Sequence, residues 1–145
     1  MPDITANPDR SAGNAPLELV ILAPILLLLI SLVFAAGRTS VAQGSVYAAA
    51  RDAARQASIS RSPAQALSEA RSGALSELAQ QKLRCAPATV TVDTSQFAIQ
   101  PGLPAMVKVT VSCQVRLADL LLPGIPGTKT LVAKFSSPLD LYRGR

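Results

Sequence analysis

A chain of 145 residues is long enough for one domain and short for two. It contains no His and no Trp, which excludes histidine-ligated metal sites and any Ser-His-Asp or Cys-His nucleophilic machinery. Its 14 basic residues, 10 Arg and 4 Lys, are unevenly placed: 13 of them follow Gly37, against six carboxylates, so that part carries +7. Such a charge favours an anionic surface without indicating nucleic acid, and no nucleic-acid partner is expected.

The first element is an apolar run. Leu19 to Gly37 holds 19 residues without a charge, close to the about 20 helical residues that span a bilayer core. Pro24 is expected to bend this helix about one turn in, which membrane helices tolerate. A buried helix of a soluble domain is the first alternative, but the rest of the chain is too small to surround Ile25 to Ile30 on every side. A cleaved secretory signal is the second, with Ala35-Ala36-Gly37 imitating its cleavage site. Orientation signals conflict. Counting cations near the helix ends finds Arg10 before the run and Arg38, Arg51 and Arg55 after it, which puts the following part in the cytoplasm. Cys85 and Cys113 argue the other way, because an even pair fits a disulfide in an oxidising compartment. Two unrelated buried thiols are the alternative.

The segment Gly13-Asn14-Ala15-Pro16-Leu17-Glu18 resembles the processing site of type IV prepilins and pseudopilins. The opening from Ser11 to Leu26, with Pro24 in its apolar helix, is similar more specifically to the TadE-like family of tight-adherence (Flp) pilus assembly proteins. Ala48-Ala49-Ala50-Arg51-Asp52-Ala53-Ala54-Arg55 extends the likeness, which covers residues 11 to about 60. Two positions depart from the pattern: Ser11-Ala12 stand where an Arg usually precedes the Gly, and Leu19 stands where an aromatic often follows the Glu. The resemblance implies that a prepilin peptidase cuts after Gly13 on the cytoplasmic side, making Asn14 the first mature residue and Glu18 the fifth. It also implies that Glu18 pairs with the new amino terminus of a neighbouring subunit during assembly, and it decides the orientation in favour of an external carboxyl-terminal part. The physical chemistry of Glu18 allows two readings. A carboxylate at the edge of an apolar span is a functional suspect, and it also suits the helix dipole at headgroup depth. Ser31, Ala35 and Ala36 would permit close helix packing, although no Gly-xxx-Gly pair is present.

The helix is expected to continue from Thr39 to Ile59, with Val41, Ser45, Ala48, Asp52 and Arg55 on one face and Gly44 as a weak joint. Ser62-Pro63-Ala64-Gln65 then predicts a new helix start, with Ser62 as cap and Gln65 completing a capping box. The spacing puts Leu67, Ala70, Ala74, Leu78 and Ala79 on its packed side, and Pro87 ends it. The remainder reads as strands: Ala88 to Asp93, then a stretch through Phe97 and Ile99 up to the turn Pro101-Gly102. A long alternating strand follows, with Val107, Val109, Val111, Cys113, Val115 and Leu117 inward. A Cys85–Cys113 link would staple helix to sheet. Asp119 to Gly127 reads either as an exposed apolar contact loop or as a loop tucked over the sheet edge. The last strand turns Leu131, Ala133 and Phe135 inward, and residues 137–145 form a tail.

The sequence therefore predicts an α+β, pilin-like fold: a long N-terminal transmembrane helix, a second helix and a small antiparallel β-sheet. The expected divisions are a cytoplasmic leader 1–13, a transmembrane and extended helix 14–60, and an external head 61–145. No reaction centre, metal site or cofactor is expected, since the carboxylates are scattered and no glycine-rich phosphate loop is present. The expected role is that of a minor pilin or pseudopilin in a tight-adherence pilus, single-pass in the cell membrane, with the prepilin peptidase, other pilin subunits and the assembly machinery as partners. The alternative is a membrane-anchored binding module of the cell envelope that is never incorporated in a pilus.

Overall fold

The computed structural model of the chain describes residues 15–120, 124 and 126–142, residues 15–17 by backbone alone. The element order is α1 (Ala15–Ser58), α2 (Pro63–Gln80), β1 (Ala88–Asp93), β2 (Met106–Arg116), a short α3 (Leu117–Leu120) and β3 (Thr128–Pro138). Two compact units result, Met1–Ala36 and Gly37–Arg145.

The described part of the first unit is helical, and Pro24 lies within the helix. Leu19 to Phe34 present large apolar side chains all round, from Leu22 at 45% exposed to Val20 at 74%. A helix that is apolar on every side and covered on none requires a non-aqueous surrounding, and this one is long and apolar enough to cross a membrane. None of its apolar window is buried, which disposes of the soluble-core reading.

The second unit, the head, packs helices on one face of a three-stranded antiparallel sheet in the order β1-β2-β3. Its α1 residues Ala42, Val46, Ala49, Ala50, Ala53, Ala54 and Ala57 are buried at a spacing of three and four. Of the residues expected on one face, Ser45 is buried as well. Val41 is 71% exposed, Arg55 is exposed, and Ala48 and Asp52 sit at the margin. An Ala-rich helix buries little area per residue, so the side with the most methyl groups turns inward even where a larger Val competes.

The α2 start is built as its residues dictate. Ser62 adopts an extended conformation and its hydroxyl accepts the Gln65 backbone N–H at 3.2 Å, with Pro63 at the first helical position. The reciprocal bond differs from the expected box: Gln65 Oε1 accepts from the N–H of Arg61 at 3.3 Å, one residue upstream of the cap. The buried face of α2 also differs, comprising Ala66, Ala70, Gly73, Ala74 and Leu78, while Leu67 and Ala79 face out. On this face Gly73 lies against the Gln56 side chain of α1.

β1 has the expected bounds, and β2 is central with Val107, Val109, Val111, Cys113 and Val115 fully or almost fully buried. Register sets Val90 and Ala133 beside Val111, and Val92 and Phe135 beside Val109, so the inner face is continuous across all three strands. Three expected strand features are corrected. Phe97 lies in a single 3₁₀ turn, Ser95–Ala98, because Asp93 Oδ1 accepts the Ser95 N–H at 3.0 Å and draws the chain out of the ladder. Leu117 begins α3 instead of ending β2. Residues 137 and 138 continue β3, and Leu139 is 3% exposed with its N–H donating to Ala105 O at 2.8 Å, so the tail begins later than expected. Leu120 is also buried, which tucks the start of the 119–127 segment inward, while Leu121, Leu122, Pro123 and Ile125 lie outside the described residues.

β3 is an edge strand, and α1 covers it. Gln43 Nε2 donates to Val132 O at 3.0 Å, and the Tyr47 ring meets Phe135 edge-on with centroids 5.7 Å apart. At the far end the Asp140 N–H donates to Ser58 O at 3.2 Å. The buried hydroxyls of Ser45, Ser58 and Ser60 all have partners, and no buried side-chain N or O among the described residues is left without one.

Candidate functional site

The sequence points to two places, the start of α1 and the cysteine pair. Glu18 is the acidic residue in the first turn of α1 and is exposed. The first-turn N–H groups of a helix lack intrahelical partners and carry partial positive charge, so a carboxylate there is held favourably. Leu19 follows it directly and opens the apolar run, which puts Glu18 at the boundary between polar and apolar chain. Gly13 and Asn14 lie outside the described residues. Within the run, the Ser31 hydroxyl donates to Leu27 O at 2.7 Å, so this polar group is satisfied by its own helix.

Cys85 and Cys113 form a disulfide with Cα atoms 5.1 Å apart, across a sequence separation of 28. Local structure brings them together. Leu83 N–H donates to Leu78 O at 3.1 Å and closes α2, and Lys82 there takes φ 55. The chain then passes Cys85 and the cis Ala86–Pro87 bond into β1. Ala86 N–H donates to Gln114 O at 2.8 Å and Gln114 N–H to Pro87 O at 3.0 Å, which extends the β1–β2 pairing beside the link. Cys113 is completely buried and Cys85 half-buried. The bond fastens the end of α2 to the central strand.

Arg116 Nε stands 3.5 Å from Asp119 Oδ2 in an exposed pair of small energetic weight. Asp93 is held below the usual carboxylate range, first by the side-chain hydrogen bond with Ser95, then by the Ser95 backbone N–H, with Lys108 adding to the effect. Among the described residues there is no group of three or more His, Cys, Asp or Glu able to hold a metal ion.

Sequence reasoning missed three features that tertiary contact creates. Gln43 and Tyr47 fasten α1 to β3, Gly73 seats α2 on α1, and five cations from four separate segments meet at one end of the head. Nothing local marks any of them.

These observations define a class: a protein with one apolar N-terminal helix that supports membrane anchoring, and an α+β head of pilin-like architecture tied by a disulfide. Residues 13–55 match the model of the TadE-like protein family. The matched segment runs from Gly13 through Glu18 and the apolar helix to the Ala-rich part of α1. No significant match is found among curated proteins or among solved structures.

Proposed function

We propose that this chain is a minor pilin or pseudopilin-like structural subunit that takes part in assembling a tight-adherence type IV pilus. The observation that supports this most directly is the TadE-like segment 13–55, which carries a Gly13-Asn14 junction, a carboxylate at Glu18 and an uninterrupted apolar helix in that order. On this reading a prepilin peptidase cuts between Gly13 and Asn14 on the cytoplasmic face. The helix then holds the subunit in the membrane, and the head stands on the external side. A disulfide between Cys85 and Cys113 suits an oxidising compartment and supports that orientation against the count of flanking cations.

Glu18 is the assembly residue in this scheme. A carboxylate at the rim of the hydrocarbon layer is stabilised by a cation brought to the same depth, and the amino terminus freed at Asn14 of a neighbouring subunit supplies one. The pair would draw subunits into register while the apolar helices pack. The head's work is structural, and the remaining partners are other pilin subunits and the assembly machinery.

The test is the intact mass and amino-terminal sequence of the protein from its native membrane, together with pilus output of a Glu18→Ala variant. The expected result is a chain beginning at Asn14, two hydrogens lighter than its reduced mass, with insertion and cleavage retained but assembly weakened in the variant. An uncut Met1 start with free thiols, or undiminished pilus output from Glu18→Ala, would overturn the reading.

A further inference from the structure

The head's charge is concentrated at one end. The chain enters the head at Gly37, and Arg38 is its second residue. Along α1, Ser45 donates to Gln81 Oε1 at 3.0 Å, so the end of α2 lies near the same end, with Lys82 and Arg84 just beyond it. The disulfide brings Cys85 to Cys113 near the end of β2, where Arg116 is the last residue. Antiparallel register then sets Lys129, the second residue of β3, opposite Val115. Five exposed cations, Arg38, Lys82, Arg84, Arg116 and Lys129, thus share this end with two carboxylates, Asp119 and Glu77, whose Oε1 accepts from Gln81 Nε2 at 2.9 Å. The other described cations of the head number six, against four carboxylates, so this end carries the larger share of the excess.

Lys82 stands at the residue that closes α2, where the Leu83 N–H to Leu78 O bond requires a left-handed conformation. Its φ of 55 falls in the left-handed region, where Gly is favoured and an L side chain is disfavoured by roughly 1–2 kcal/mol.

From this we infer that the Gly37 end of the head is a docking surface for anionic phospholipid headgroups of the membrane that α1 enters. Arg38, Lys82, Arg84, Arg116 and Lys129 contact lipid phosphates there. Covalent continuity selects this occupant: the last large apolar side chain of the run, Phe34, is only four residues from Arg38, so headgroups are the nearest anions to this surface. Charge complementarity supplies the attraction, about fivefold in binding for each cation near an anionic surface. The inference rests on membrane anchoring and not on the pilus reading, since a head held on headgroups would serve a permanent anchor equally.

The four lysines provide the test, because all are exposed, two at this end and two elsewhere. The full chain is reconstituted in vesicles of phosphatidylcholine alone, or with a third phosphatidylglycerol, and labelled with a membrane-impermeant acylating reagent read by mass spectrometry. The expected result is that Lys82 and Lys129 label at least fivefold more slowly in the anionic vesicles, Lys108 and Lys134 are unchanged, and 1 M salt abolishes the difference by shortening the screening length to about 3 Å. Arg38→Gln together with Arg84→Gln should remove most of the protection, while unchanged Lys108 and Lys134 rates report an intact fold. Equal labelling in both vesicles would overturn the inference. So would protection that follows protein density instead of lipid charge, because that pattern belongs to contact between copies of the chain. Cleavage at Gly13 has no bearing on this readout, so its failure and that of the pilus reading are distinguishable.

Discussion

Gly73 of α2 lies directly against the side chain of Gln56 on α1: a Cβ at position 73 would stand 2.6 Å from Gln56 Cδ. The two helices meet here through a hydrogen atom and the end of a flexible amide. That amide is itself committed, donating from Nε2 to Asp52 Oδ2 at 2.7 Å. The consequence is graded by size. Gly73→Ala gains about 1 kcal/mol of helix propensity and loses a similar amount by displacing Gln56, leaving stability within about 1 kcal/mol of the parent. Gly73→Leu forces the helices apart and should cost about 2–3 kcal/mol. Urea unfolding of the full chain in detergent measures both, and a Leu variant as stable as the Ala variant would contradict the contact.

Reduction of Cys85–Cys113 is expected to remove about 3–4 kcal/mol, from the loop-closure entropy of a 28-residue separation. For a core built mostly of Ala and Val this is a large share of a domain's usual 5–15 kcal/mol. Thermal unfolding of the head with and without reductant should show it. The double variant Cys85→Ala/Cys113→Ala should melt near the reduced protein, and equal melting of oxidised and reduced chain would count against the link.

Lys82→Gly should stabilise the head by about 0.5–1 kcal/mol, since it relieves a left-handed residue at the α2 terminus. The same change removes one of the five clustered cations. A gain in stability with a loss of anionic-vesicle protection at Lys129 is the combined outcome expected from unfolding and labelling measurements.

Asp93 sets an acid dependence. Its folded pKa lies below the ordinary 3.8, so its contribution to stability is fully present above that value and is lost as pH falls through the folded pKa. Melting temperature should therefore be insensitive to Asp93 between pH 5 and 7, and Asp93→Asn should flatten part of the decline below about pH 4. Parallel acid melting curves for parent and variant would show that the Ser95 hydrogen bonds do not perturb Asp93 in solution.

Legibility in the sequence followed the range of the interactions. The apolar run, the Ser62-Pro63 start and the alternation of Val107 to Val115 are each decided by neighbours within a few positions, and each was read with nearly correct bounds. Local chemistry also explains the misses. The Asp93 side chain diverts Phe97 into a 3₁₀ turn, and an Asx turn is easily overlooked beside a strand pattern. The burial of Ala66 and Gly73 in place of Leu67 and Ala79 on α2 went the other way from hydrophobicity, and at Gly73 the Gln56 side chain of α1 leaves no room for a larger residue.

By itself, the sequence determined an apolar helix that seeks a membrane, a carboxylate at its threshold, a capped second helix and a half-buried strand, because each depends on spacing along one segment. Only the tertiary structure decided which side of α1 is buried and which five cations stand together. Those outcomes depend on the approach of segments up to 91 positions apart, from Arg38 to Lys129, and at that range packing geometry and a disulfide, not local pattern, fix who meets whom.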